Sequence, residues 1–133
     1  MLKNKIWVNG ILAIVIGLFF TACAGINKAN LAKKNRPVLM KIDVGMNKKD
    51  IVTLFGDSGV EDMPNPYKRE VFTKSNGDIL EALFFITEHI PDGITSDTEL
   101  TPIMLLNKKV IGWGWSFYSK SKNDVEININ KYN

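Results

Sequence analysis

The sequence predicts an α+β domain: a short N-terminal helix packed on an antiparallel β-meander of three to five strands. Three observations predict it. Asn47 to Gly56 carries helix start and stop signals around an apolar stripe. Several strand-like runs follow, separated by turn residues such as Asn76-Gly77. Val110 to Tyr118 alternates strictly, with Ile111, Trp113, Trp115 and Phe117 on one side and Gly112, Gly114 and Ser116 on the other.

In the helix, Asn47 suits the N-cap and Asp50 complements the dipole of the first turn. Ile51, Leu54 and Phe55 make the stripe, with Val52 beside it, and Gly56 suits the C′ position. The helix is only about two turns long, so packing rather than propensity must hold it. Asp57 to Pro66 reads as a loop, and Tyr67 to Thr73 as a strand. A hairpin at Asn76-Gly77 leads into a strand over Ile79 to Thr87. The run Leu83-Phe84-Phe85-Ile86 within it implies cover on both faces. Pro91 to Thr98 is a second loop. Leu100 to Leu106 is a strand with Pro102 near its start, and Asn107-Lys108-Lys109 turns into the tryptophan strand. Something must pack closely over Gly112 and Gly114, and the aromatic side is expected to be core, buried under the helix stripe or against another layer. After a break at Lys120 to Asn123, Val125, Ile127 and Ile129 alternate with polar residues, which suits an edge strand or a tail.

The chain has 133 residues, enough for one small domain. Met1 to Ala22 reads as a signal peptide. Lys3 and Lys5 precede the apolar run Ile11 to Phe20, and Thr21-Ala22 puts small residues before Cys23. The run is short of the ~20 residues that span a bilayer as a helix. Without Lys3 and Lys5, 15 basic and 14 acidic residues remain, a net charge of +1. The remaining lysines are scattered, which argues against nucleic acid as a partner. One cysteine allows no intrachain disulfide, and with one histidine it cannot supply a four-ligand zinc site; no metal and no cofactor is expected. Polar residues 25–36 followed by Pro37 read as a tether. The expected organisation is a signal peptide at 1–22, a lipidated N-terminus and tether at 23–40, a globular domain at 41–119 and a C-terminal tail or edge strand at 120–133.

Phe20-Thr21-Ala22-Cys23 resembles the lipobox of bacterial lipoproteins, with Phe20 where the pattern prefers leucine. The resemblance implies acyl chains, palmitate among them, on Cys23. Two or three such chains, at ~0.8 kcal/mol per buried methylene, hold a protein on a membrane permanently. The implied location is the cell envelope, facing the periplasm or exterior, and the outer membrane where the cell has two. Val44-Gly45-Met46-Asn47-Lys48-Lys49-Asp50-Ile51 through Gly56 resembles the opening of the SmpA/OmlA lipoproteins, the group that includes BamE. Glu99-Leu100-Thr101-Pro102-Ile103-Met104 and Lys109-Val110-Ile111-Gly112-Trp113-Gly114 resemble strands of small lipoproteins in that superfamily. The likeness implies a lipid-tethered helix-plus-sheet domain that works through protein contact in envelope assembly or integrity. The loops depart from BamE, so none of its binding residues is transferred.

His89 with Asp92, Asp97, Glu99 and Ser96 is the sharpest catalytic grouping, but nothing in the sequence orders the set; no enzyme is expected. Asp92, Asp97 and Glu99 fit no calcium-loop spacing. Met63, Tyr67, Trp113 and Trp115 are the candidate residues for contact with an envelope protein partner. The expected function is thus a non-catalytic protein-contact module on the envelope. The alternatives are a lipoprotein that binds a small ligand between helix and sheet, or an enzyme accessory or inhibitor.

Overall fold

The computed structural model describes residues 27–130, with side chains through Val125. The signal peptide and Cys23 lie outside the described residues. A helix, α1, runs through residues 27–35 and passes into a 3-10 helix at Arg36–Lys41. Then come α2 (Lys48–Phe55), β1 (Lys68–Thr73), β2 (Ile79–Ile86), a 3-10 turn at Asp97–Glu99, β3 (Leu100–Leu106), β4 (Lys109–Trp113) and α3 (Trp115–Asn130). The four strands form one antiparallel meander in the order β1-β2-β3-β4.

Strand β2 dictates the layering. From Leu80 to Ile86 every residue is buried, so both faces of the sheet need cover. On one face Leu80, Ala82, Phe84 and Ile86 pack with Met104 of β3, Leu31 and Ala32 of α1 and Val125 of α3. On the other, Leu83 and Phe85 pack with Ile103, Leu105 and Val110, under Ile51 and Phe55 of α2 and Val38 and Ile42 before it. Phe55 stacks on Phe85 with centroids 3.7 Å apart. A single helix is therefore not enough, and the chain on both sides of residues 41–119 supplies the second layer.

Residues 27–40 correct the expected tether. Their composition is polar, yet Lys28, Leu31, Ala32 and Asn35 are all buried, a helical spacing of three, four and seven. The C-terminal segment is a helix, neither edge strand nor tail. Gly114, at φ +89°, ends the strand, and the Tyr118 N–H bonds the Gly114 carbonyl to close the first turn of α3. Trp115, Tyr118 and Val125 then follow helical spacing, packed on or buried in the first core.

The aromatic alternation is broken at two points. Met104 pairs with Gly112 and Leu105 with Val110, so Ile111 is an extra residue in a β-bulge. Ile111 packs on the first core, while Trp113 lies opposite Ile103 of the second. Past Gly114, Trp115 and Phe117 belong to α3. The aromatic row is thus not one face buried under α2: Ile111, Trp115 and Phe117 pack on the first core, on the face opposite α2, while Trp113, on the α2 side, is 39% exposed. Leu54 and Val52 of α2 are also exposed; Ile51 and Phe55 alone are buried there. The expected close cover is present over Gly112 but not over Gly114, where nothing lies within 4 Å of an added Cβ. The Phe117 ring lies where a Cβ on Gly112 would approach it to 2.6 Å.

Both hairpin turns form as the residues suggest. Gly77 has φ +86°, and Asn107 and Lys108 are left-handed at φ +48° and +68°, the pattern of a two-residue type I′ turn. Asn107 receives the Ile79 N–H at 3.0 Å and donates to Asp78 at 2.8 Å, joining the two turns at one end of the sheet. Asn47 stands at the N-cap of α2 without capping through its side chain; its Oδ1 accepts the Lys109 ammonium at 3.0 Å instead.

Burial orders the expected losses. Phe55→Ala removes a fully buried, stacked ring and should cost about 3–5 kcal/mol in urea denaturation. Trp113→Ala should cost no more than about 1 kcal/mol. Equal losses for the two would contradict this assignment of the core.

Candidate functional site

The most constrained polar group is Glu99, fully buried at the end of the loop that joins β2 to β3. Its Oε1 accepts the Ile90 N–H at 2.8 Å and pairs with the Lys28 ammonium at 2.6 Å. Its Oε2 accepts the Ser96 N–H at 2.9 Å. Its carbonyl receives the N–H groups of Thr87 and Glu88 at 2.9 and 3.1 Å. Lys28 also donates to the Ile94 carbonyl. Burial pushes the Glu99 carboxyl up, but the Ile90 N–H, the Lys28 ammonium and the Ser96 N–H together outweigh it and hold the group below its ordinary value. His89 Nδ1 lies 3.9 Å from Oε1, buried and without a hydrogen-bond partner.

Of the residues first grouped by chemistry, the fold brings His89 and the Ser96 backbone to Glu99, while the Ser96 hydroxyl and the Asp92 carboxylate bond elsewhere. Ser96 Oγ bonds the Thr98 hydroxyl at 2.7 Å, and Asp92 accepts the Ile94 N–H at 3.0 Å. Both Glu99 oxygens are occupied by cationic or amide donors, so this carboxylate works as a strut between α1 and the loop. Lys28 is the partner that local sequence missed, because it lies far from the loop in the chain. The one signal was its place in the 28, 31, 32, 35 spacing. Among the described residues no three His, Cys, Asp or Glu side chains are grouped to hold a metal.

Two further carboxylates are held from the sheet. Glu81 of β2 pairs with Lys48 of α2 at 2.5 Å and Arg69 of β1 at 2.8 Å. Glu70 of β1 takes the Tyr118 hydroxyl of α3 at 2.6 Å and the Lys68 ammonium at 2.7 Å. In both, burial acts upward and these partners, outweighing it, hold the carboxyl below its ordinary value. At the Glu99 end, buried Asn35 and half-buried Asn65 exchange side-chain hydrogen bonds at 3.0 and 3.1 Å. Asn35 also donates to the Ile86 carbonyl and Asn65 to the Gly56 carbonyl, joining α1, β2 and the end of α2.

The four candidate contact residues separate. Met63, Tyr67 and Trp115 are half-buried against the first core. Trp115 is committed further: its Nε1 donates to the Leu100 carbonyl at 2.8 Å, and its ring meets Phe84 and Tyr118 with centroids 5.7 and 5.3 Å away. Trp113 alone is exposed. Val44, 68% exposed, stands next to Gly45, whose N–H bonds the Val110 carbonyl along the outer edge of β4. A separate groove of about 210 Å³ lies beneath α3, floored by Leu80, Leu106, Ile111 and Phe117 and rimmed by Lys74 and Lys120. It is smaller than the roughly 300–1,000 Å³ of drug-sized ligand sites.

Fold and clusters define a small α+β domain whose buried carboxylates tie its own segments together. The chain belongs to a family described as protein of unknown function (DUF3192), whose model matches residues 24–120. The match includes α1, in keeping with its place in the core. No curated protein and no solved structure matches the chain.

The strut carries a pH signature. A carboxyl lowered by folding stabilises above its ordinary value of 4.5, and that contribution is lost as pH falls through the lower folded value. Thermal stability should therefore decline as the pH drops below about 4.5. Lys28→Met leaves Glu99 buried without its cation and should cost about 3–5 kcal/mol at neutral pH. A loss below about 0.5 kcal/mol would show that the pair does not hold α1 in place.

Proposed function

We propose that this protein is a lipid-anchored component of the cell envelope that acts by contact with another envelope protein and performs no catalysis. The observation that carries the contact reading is Trp113, an exposed indole at the end of β4, the outermost strand of the sheet. Aromatic anchors of this kind dominate protein interfaces, and the buried aromatics here are spent on the core. The anchor reading rests on the apolar run that ends at Thr21-Ala22-Cys23. A relationship to the SmpA/OmlA lipoproteins, suggested by the Gly45–Gly56 and Glu99–Gly114 motifs, agrees with both. The groove beneath α3 favours a second reading, a small-ligand lipoprotein, for a compound smaller than most drug-sized ligands.

Cys23→Ala should abolish incorporation of labelled palmitate and leave an unprocessed precursor. Labelling equal to wild type would end the anchor reading. A photo-crosslinking residue at position 113 in intact cells should join one defined envelope protein, while one at Ser75 should not. Recovery of only lipid and abundant porin-like proteins from position 113 would count against a specific partner.

A further inference from the structure

We infer that the loop tip Ile90–Ile94 is a second membrane contact, seated in the lipid surface beside the acyl chains of Cys23; this rests on the anchor reading above. The tip is Ile90-Pro91-Asp92-Gly93-Ile94, and Ile94 and Ile90 are 64% and 42% exposed. Exposed isoleucines on a surface loop are usually mobile, but these are fixed from behind. The Ile90 N–H is bonded to the buried Glu99 carboxylate, and the Ile94 carbonyl accepts the Lys28 ammonium. The Asp92 N–H bonds the Ile90 carbonyl, and the Asp92 carboxylate turns back onto the Ile94 N–H at 3.0 Å. Gly93, at φ +80°, permits the tight reversal. The result is a rigid prow with apolar side chains outward.

The chain itself selects lipid as the occupant. Lys28, which holds the prow, is five residues from Cys23. Five residues fully extended reach about 17 Å, so acyl chains on Cys23 keep the Lys28 backbone within about that distance of the bilayer surface, and the prow one lysine side chain from it. Acyl chains alone fix position without fixing orientation; an apolar prow beside them supplies a second point. The charge nearby is mixed. Asp92 and Asp97 are exposed, Glu88 pairs with Arg36, and Lys33 stands exposed on α1. Insertion is therefore driven by apolar burial, and anionic lipid is not required.

The presence of one cysteine in the chain makes the test clean, because a lipidated Cys23 has no free thiol. Ile94→Cys and Ser75→Cys, each in the full lipidated protein, would be labelled with an environment-sensitive fluorophore. Each would be reconstituted into phosphatidylcholine vesicles carrying brominated acyl chains. Ser75 lies in the turn at the far end of β2, about 25 Å of strand away. The probe at position 94 should lose emission to the bromine and be shielded from aqueous iodide, and the probe at 75 should show neither effect. Co-flotation with equal iodide access at both positions overturns the membrane contact and leaves the anchor standing. Shielding at 94 without bromine quenching, as a second copy of the chain would give, also overturns it. Failure of the unlabelled wild-type protein to float with vesicles overturns the anchor reading, and the prow with it.

Discussion

The rest of the structure depends on a strand that has no wet side. With Leu80 to Ile86 buried throughout, β2 cannot exist in a two-layer domain. It demands apolar cover above and below, and the meander from β1 to β4 offers none of its own. Helix α2, only eight residues long, covers one face with Ile51 and Phe55. The opposite face is left to segments from the two ends of the described chain, α1 with Leu31 and Ala32 and α3 with Val125. Neither α1 nor α3 has the apolar content of an independent helix. They are helices because the sheet gives their few apolar residues somewhere to go.

Thin cover needs fastening, and charge supplies it. Each of three carboxylates joins a different pair of elements: Glu99 reaches α1, Glu81 reaches α2 and Glu70 reaches α3. Replacing such pairs with well-packed apolar residues is often neutral or favourable for stability. Their value here is specificity of docking, since one or two apolar side chains alone do not fix the register of a short helix on a flat sheet. Glu99 is the strictest case. Because its oxygens are shared among Lys28, Ile90 and Ser96, α1 cannot settle without the loop also taking its shape.

What was legible in the sequence follows from how local its cause is. The α+β class, the extent of β3, the two hairpin turns and the double burial of β2 depend on patterns within a few residues of one another, and they were read correctly. The errors arose where a distant partner decides. Residues 27–35 have the composition of a linker, and only their spacing hints at a face that meets the sheet. The row from Ile111 to Phe117 looks like a single strand because alternation survives on paper; a bulge at Ile111 and the positive φ of Gly114 divide it into strand, turn and helix. Asn47 looked like a capping side chain, yet Lys109 of a neighbouring strand competes for its oxygen. For the candidate site, His89 and Glu99 were visible as a pair close in sequence, whereas Lys28 was invisible as their neighbour. Trp113 was named among the contact residues, but its exposure depends on the bulge and could not be read from the row alone.

Docking of α1 has a consequence for how such a domain would sit on a membrane. A long flexible linker between Cys23 and the fold would let the domain tumble, and a contact face would sample every direction. Here only residues 24–26 stand between Cys23 and the described chain, and α1 is bonded to the β2–β3 loop through Lys28. If Cys23 carries the proposed acyl chains, that geometry would place the loop end of the sheet toward them. The turns at Lys74–Asp78 and Asn107–Lys108 would then point away from the bilayer, because every strand runs between these two ends. Exposed Trp113, on the outermost strand β4, would face along the membrane plane toward neighbours anchored in the same leaflet. Two proteins confined to one surface meet through their sides, so a lateral aromatic edge is the position at which a short-tethered domain makes the most of a partner sharing its membrane.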